Sequence, residues 1–479
     1  METTAALVAE LRSALAPDRV LSSPLELALY GRDASVIEGQ AGVVCLPTTT
    51  EEVQACVRVA RAHDRAVVPR GSGTGLAGGA VPVGGAGGAP VVVATTRMDG
   101  ILDVDAAQRL AWVEPGVLNL DLTRAVEPLG LHFAPDPSSR QACSVGGNVA
   151  TNSGGPHCLL YGVTSAHVLA AEVVLGDGSV ALLGGTDADP PGYDLRGAFV
   201  GSEGTLGIAT RLAVRLTPLP PAVRTLLADF TTIEAAAAAV SGIIAAGIVP
   251  AALEMMDQAI TRAVEEYVHA GFPTDAAAIL IVEVDGLGDG VSAMAEEVAG
   301  VARACGARGV RMAAGEAERA AIWKGRRSAF GAIARIAPNY YLHDAVVPRT
   351  RLLEVLTEVY AIAERHQLVM MNVFHAGDGN LHPLIVFDRR QAGTYERVMA
   401  AGAEIIRACV AAGGVLSGEH GIGLEKRDFM PLVFSADDLD AQARLRAAFD
   451  PDGACNPCKI LPGGAGCGEA RAMPEGVWI

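Results

Sequence analysis

Positive charge is what this 479-residue sequence lacks most: 37 Lys and Arg stand against 54 Asp and Glu, giving a formal charge of −17 and a pI near 5.0. Such a field repels polyanions, so neither a nucleic-acid partner nor an anionic membrane surface is expected, and an anionic substrate needs a local cationic pocket. The opening METTAALVAELRSALAP carries Glu2 and no long apolar core, so no signal peptide is expected. No unbroken apolar run reaches membrane length. The nearest, Ala235–Leu253, is interrupted by Gly242, Gly247 and Pro250. It follows Thr231 and Glu234 at capping-box spacing and reads as a soluble amphipathic helix ended by Gly247. Nine cysteines without even spacing make no secreted disulfide framework, and no run of four suits an iron–sulfur cluster. Cys455 and Cys458 form the one C-x-x-C pair; with no second pair at zinc-ribbon distance they read as small residues of a terminal segment. The expected location is the cytoplasm, or the periphery of the membrane's inner face, with no transmembrane segment.

What is present is apolar material and glycine. Half the residues are hydrophobic and 56 are glycine, enough for a large core with many loops that approach a ligand closely. The length suits about three domains. A helix is expected over 51–63, then a strand from Ala66 to Pro69, with further strands at Val91–Ala94, Ala111–Val113 and Val168–Leu175. The Thr217–Pro221 run, Thr-Pro-Leu-Pro-Pro, marks a boundary because consecutive prolines stop helix and sheet alike. Beyond it, strands Thr225–Phe230 and Ala278–Val284 alternate with an Ala-rich helix and a helix at Val291–Cys305. That pattern predicts an α+β layer with sheet on one face and helices on the other. Two more helices are expected near 350–366 and 394–412.

Three glycine segments carry the first chemical signal. Pro69-Arg70-Gly71-Ser72-Gly73-Thr74-Gly75-Leu76-Ala77-Gly78-Gly79 follows a strand, and such spacing lets backbone N–H groups converge on a diphosphate. It is neither the dinucleotide fingerprint nor a P-loop, which disfavours NAD. The second segment is Pro135-Asp136-Pro137, then Ser144 to Gly155, then Tyr161-Gly162. The third runs from Gly201 to Ile208. Three such loops imply a large, flat, polar-edged ligand reached by backbone from several sides.

The second signal is a histidine pair. Residues 374–384 read Phe-His-Ala-Gly-Asp-Gly-Asn-Leu-His-Pro-Leu. A two-residue turn at Asp378-Gly379 would set Gly377 against Asn380, Ala376 against Leu381, and His375 against His382, with Cβ atoms about 5 Å apart. Pro383 would confine the pairing to an edge or a short ladder. In Ser417-Gly418-Glu419-His420-Gly421, Glu419 offers a third ligand. Two histidines and a carboxylate leave a position open, as in a catalytic zinc site, and manganese or iron would accept the same set.

The order and spacing of these segments resemble the FAD-binding domain of the vanillyl-alcohol oxidase (PCMH) class. Within it the chain is similar to the group comprising the glycolate oxidase FAD subunit and the D-lactate and D-2-hydroxyglutarate dehydrogenases, over roughly residues 30–462. The resemblance implies an α+β fold: a two-subdomain PCMH-type FAD-binding domain at 1–219, with a helical start to about 38. An α+β substrate or cap domain with an antiparallel sheet follows at 220–412, and a segment at 413–479 returns to the flavin. It assigns Pro69, Arg70, Gly71, Ser72, Gly73, Thr74 and Gly75 to the diphosphate. Gly146, Gly147, Asn148, Thr151, Gly162, Gly207 and Ile208 would line the adenosine and isoalloxazine sites, with Pro135, Asp136, Ser144, Glu203 and Asn456 completing the set. The first loop holds Thr74 and no histidine, so FAD is expected to be non-covalent.

The same resemblance makes His375, His382 and Glu419 ligands of one divalent ion, zinc first, and His420 the base. In Trp323-Lys324-Gly325-Arg326-Arg327 it gives Arg326 the substrate carboxylate, which a planar guanidinium clamps bidentately; Arg327 is the less favoured second contact. Hydride leaves Cα only as the hydroxyl loses its proton, so an ion on that hydroxyl and a neutral imidazole beside it suit oxidation of a D-2-hydroxy acid. Leu384 and Leu342 stand where the hydroxyglutarate enzymes carry asparagine and lysine. A second carboxylate would lack partners there, which favours glycolate or D-lactate over D-2-hydroxyglutarate. Electrons are expected to pass to a partner protein, such as an iron–sulfur subunit or an electron-transfer flavoprotein, or to a quinone. A homodimer is compatible with the sequence. A metal-dependent hydrolase, with Glu419 or His420 activating water, is the rival from another class, and it leaves the glycine segments unexplained.

Overall fold

The computed structural model describes residues 2–463 apart from 86, 188 and 189. The chain divides into two compact units: Met1–Ser153, Val163–Pro218 and Glu419–Ile479 form the first, Gly154–Gly162 and Leu219–Gly418 the second. The crossing after Pro218 lies inside the Thr217–Pro221 run. Two other divisions differ from expectation. Residues 154–162, including Gly162, group with the second unit, and the returning segment starts at Glu419, not 413.

The first unit holds two larger sheets, besides a two-stranded pairing of Leu131–His132 with Thr217–Pro218. One is four-stranded in the order Val20–Leu21, Val43–Cys45, Val91–Ala94, Val67–Arg70. Its last three strands are parallel, and helix Thr50–Ala62 supplies the crossover that parallel neighbours require. Val43, Val44, Val91, Val92 and Val93 are fully buried, as in a parallel sheet covered on both faces. The other sheet is antiparallel, ordered Ile101–Asp105, Leu110–Val113, Ile208–Arg215, Val168–Val174, Val180–Gly184. It packs on Phe133, Val145, Val149 and Leu206. The C-terminal segment returns beside Val67, whose N–H donates to the Ala454 carbonyl at 2.9 Å while Asn456 N–H donates to the Val67 carbonyl at 2.7 Å. Cys455 is a free, buried thiol, so it makes no disulfide with Cys458, and burial pushes its pKa up.

The second unit is built on a seven-stranded antiparallel sheet, ordered Ala307–Met312, Ala222–Phe230, Ala278–Gly286, Ala252–Asp257, Val369–Phe374, Pro383–Phe387, Asn339–Leu342. The Ala-rich helix spans Ile233–Ala245 and is capped by Thr232, whose hydroxyl accepts from Ala235 N–H, one residue later than the expected Thr231. All seven residues of Ala278–Val284 are buried. An alternating strand with one wet face cannot give that, so the sheet is covered on both sides, not on one as expected. Pro383 also sits between two partner strands, not at an edge. It is tolerated because it is the first residue of its strand.

Helix Glu316–Arg327 approaches its neighbours closely through Gly325, where a Cβ would lie 2.5 Å from the Phe272 ring. Gly325→Ala is therefore expected to destabilise by about 1–3 kcal/mol despite alanine's better helix propensity. A chemical-denaturation midpoint equal to or above wild type would contradict this.

Candidate active site

In the first unit the glycine segments meet backbone to backbone. A Cβ on Gly71 would stand 2.4 Å from Ser144 Oγ and 3.5 Å from the Gly147 backbone, so the two segments approach this closely only because residue 71 has no side chain. Ser144 caps helix Val145–Thr151 by accepting from Gly147 N–H at 3.3 Å. Asn148 is spent on the scaffold: its Oδ1 accepts from Asn119 Nδ2 at 3.0 Å, and Asn119 also donates to the Pro135 carbonyl at 2.8 Å. Thr151 Oγ1 bonds back to the Gly147 carbonyl, and the Ile208 side chain lies in the core. Arg70 folds beneath its loop, donating to the Arg32 carbonyl at 2.6 Å and lying 5.4 Å from the Tyr30 ring centroid. Burial draws its pKa down, against the opposing charge of Asp33. Asp136 lies 4.0 Å from Arg140.

Two residues expected to touch the cofactor also tie loops together. Glu203 is buried; one carboxylate oxygen accepts from Ile422 N–H at 2.6 Å and the other from Gly423 N–H at 2.8 Å. Burial pushes its pKa up to about 7, although those amides, Lys426 and Lys459 pull the other way. Asn456 Nδ2 donates to the carbonyls of Gly79 at 2.8 Å and Glu203 at 2.6 Å. What remains for a ligand is a cradle of glycine backbone, hydroxyls and Arg70, a donor set that fits the diphosphate of FAD.

In the second unit the histidine pair forms, in a different register. His375 bridges Asn380, and Asn372 and Met371 pair with Pro383 and Leu384. The ladder is thus displaced by two residues from the expected one, because the loop uses Ala376 to Gly379 and not Asp378-Gly379 alone. A shift of two keeps both side chains on one face. The imidazoles become diagonal neighbours with ring centroids 5.1 Å apart, edge to face. His375 Nδ1 lies 2.7 Å from Glu254 Oε1, and His382 Nδ1 donates to the His343 carbonyl at 3.3 Å. With each Nδ1 engaged, Nε2 is the nitrogen of each ring that could hold an ion, and the groups on Nδ1 would form the outer layer of such a site.

Glu254 was not expected from the sequence. It stands in strand Ala252–Asp257, where Met255 pairs with Phe374 and so brings it beside His375. Helix Glu316–Arg327 lays Arg319, Trp323 and Arg326, spaced i, i+4 and i+7, over this face. Arg326 Nε and Nη2 donate to Glu254 at 2.7 and 2.5 Å. Trp323 Nε1 and Arg319 donate to Glu283 at 2.6 and 2.9 Å, joined by Thr225 at 2.5 Å. Burial alone would raise both carboxylates. The hydrogen bond from His375 and the charge of Arg326 hold Glu254 below its usual range, and bonds from His157 and Arg319 hold Glu283 well below. His157 also lies against the Trp323 ring at 5.4 Å, which ties the 154–162 segment to this unit. The signal for Glu254 was a lone acid in the apolar run Ala-Ala-Leu-Glu-Met-Met, a charge that must find a partner once buried.

Leu342 and Leu384 prove to be register partners, 5 % and 0 % exposed. Asp344, also missed, accepts from Ser417 Oγ at 2.5 Å and Gly418 N–H at 3.0 Å, with its other oxygen 3.9 Å from His382 Nδ1. Glu419 and His420 belong to the first unit, where His420 Nε2 is 3.6 Å from Glu419 Oε1.

Two family models match: FAD binding domain over residues 41–184, and FAD linked oxidases, C-terminal domain, over 219–460. The Glycolate oxidase subunit GlcD of Escherichia coli (strain K12) is 46% identical over 431 residues, covering 90% of this chain and 86% of the relative. A D-lactate dehydrogenase of Anaerostipes hadrus is 32% identical, covering 93% and 95%. Among solved structures, p-cresol methylhydroxylase with substrate bound matches with a TM-score of 0.81 at 16% identity, covering 96% of this chain and 97% of its own, a likeness of fold.

Two outcomes follow from the buried carboxylates. Glu254→Gln leaves Arg326 and His375 without their anion, so divalent-metal affinity should fall about 10–100-fold and stability by about 3–5 kcal/mol; metal titration and urea unfolding read both, and unchanged metal affinity would refute the role. Glu283 has a folded pKa below its unfolded value, so its contribution is present above about pH 4.3 and is lost as pH falls through the folded pKa. Urea midpoints of Glu283→Gln should lie below wild type at pH 7 and decline less between about pH 5 and 3. Parallel curves would contradict the assignment.

Proposed function

This chain belongs to the FAD-linked oxidases, with a PCMH-type FAD-binding fold and an α+β cap domain, and from that premise we propose that it oxidises a small D-2-hydroxy acid. Glycolate or D-lactate is favoured, yielding the 2-oxo acid, with electrons leaving to an acceptor other than oxygen. The observation that carries this reading is the buried Glu254, which orients His375 and Arg326 together on one sheet face of a chain with an FAD-binding domain.

The reaction removes a hydride from Cα and a proton from the hydroxyl. FAD, held non-covalently by the glycine cradle, supplies the hydride acceptor at N5, and a divalent ion (zinc before manganese or iron) supplies polarisation of the hydroxyl. His375 and His382 would hold that ion through Nε2. Glu419 is the proposed third ligand. Its support is chain continuity, since it directly follows Gly418, whose amide Asp344 anchors in the unit that carries the histidines. Arg326 keeps its Nη1 side for the substrate carboxylate while Glu254 grips Nε and Nη2, which fixes the Cα–H direction. His420 accepts the hydroxyl proton. Leu342 and Leu384 form an apolar pair close to His382, so a second carboxylate finds no partner. Relatives named as a subunit and as a dehydrogenase support a partner protein and an acceptor other than oxygen; an iron–sulfur partner, an electron-transfer flavoprotein or a quinone is our reading of that acceptor. Among the described residues no helix is long and apolar enough to cross a membrane. A cytoplasmic or peripheral location is our reading.

Under anaerobic conditions glycolate or D-lactate should bleach the flavin, L-lactate should not, and chelation should abolish the reaction. Bleaching that survives both chelation and His382→Ala would remove the metal role. Leu384→Asn combined with Leu342→Lys should raise the kcat/KM ratio of D-2-hydroxyglutarate to D-lactate by at least about 10-fold. An unchanged ratio would dismiss the apolar pair as the determinant.

A further inference from the structure

We propose that Glu203 is the positioning residue for the base, setting the turn that carries His420; this rests on the function proposed above. Glu203 bridges two parts of the first unit. Its own N–H donates to the Ala150 carbonyl at 2.8 Å, in the helix of the second glycine segment. Its carboxylate takes the amides of Ile422 and Gly423, two and three residues beyond His420. Asn456 pins its carbonyl from the other side.

The fit leaves no slack. Gly421 packs so closely that a Cβ there would meet Glu203 Oε1 at 2.7 Å, and Gly421 and Gly423 both take positive φ, +86° and +53°. Glu203 itself is a non-glycine residue at φ +51°, a conformation retained only where its surroundings fix it. Each of its two oxygens takes one N–H group, an arrangement that a carboxylate supplies and an amide, with one oxygen and an NH2, does not. Lys426 and Lys459, both buried, favour the carboxylate form against the effect of burial.

Glu203→Gln turns one acceptor into a donor facing an N–H. Hydrogen exchange of the amides at 421–423 should accelerate at least about 10-fold in the holoenzyme with its flavin still bound. The kcat for the 2-hydroxy acid should fall about 10²-fold, the order expected for an ångström-scale displacement, with KM within about threefold. In a His420→Ala background the same substitution should cost kcat less than about twofold, because its effect passes through the missing imidazole. Glu203→Asp, which keeps two acceptors, should recover part of the protection and of kcat. It also serves if the glutamine variant does not fold. Unchanged exchange, or an equal kcat loss in both backgrounds, would overturn the proposal. If no 2-hydroxy acid reduces the wild-type flavin, the functional reading falls, while the exchange measurement still decides whether Glu203 holds the turn.

Discussion

A carboxylate with no exposure to water, Glu254, is the constraint on which the second unit's chemistry depends. Burying an anion costs several kcal/mol unless cations and donors surround it, and removing either partner leaves the rest uncompensated. Its partners are a histidine and an arginine drawn from two different elements, a sheet strand and the helix laid over it. Once Glu254 is in place, neither side chain can rotate away without stranding a charge. Positional precision at the site is therefore enforced electrostatically, and the same anion orients one candidate metal ligand and the candidate substrate clamp.

The first unit solves its problem with backbone. Its glycine segments bring backbone together, and several side chains expected at the cofactor, among them Asn148, Glu203 and Asn456, also make hydrogen bonds within the scaffold. This division suits a cofactor that must be held along its length without being chemically altered by its host. In the proposed reaction side-chain precision is needed at the substrate, and the second unit supplies it with buried ions.

How much of this could be read from the sequence depends on the range of the interaction. Glycine spacing, the proline run at 217–221 and the pairing of His375 with His382 are local, and each reads correctly as an element or a neighbourhood. The histidine register was missed by two because turn length is set by what the loop packs against. Gly377, for example, would collide with Leu159 if it carried a Cβ. That contact comes from residues 154–162, which no local pattern assigns to the second unit. Glu254 and the contacts of the Glu203 carboxylate were not foreseen, for a related reason. A single acid in an apolar run announces that it needs a partner but not which one, and a glutamate inside a glycine motif looks like part of the ligand site until its carboxylate is seen to be occupied.

The account turns on both imidazoles presenting Nε2 to one ion while Glu254 holds His375 from behind. Anomalous diffraction from crystals of the metal-loaded holoprotein measures this directly. We expect a single strong peak about 2.0–2.1 Å from His375 Nε2 and from His382 Nε2, with Glu254 retained on His375 Nδ1. A loaded protein whose ion sits elsewhere, or binds through Nδ1 of either ring, would contradict it.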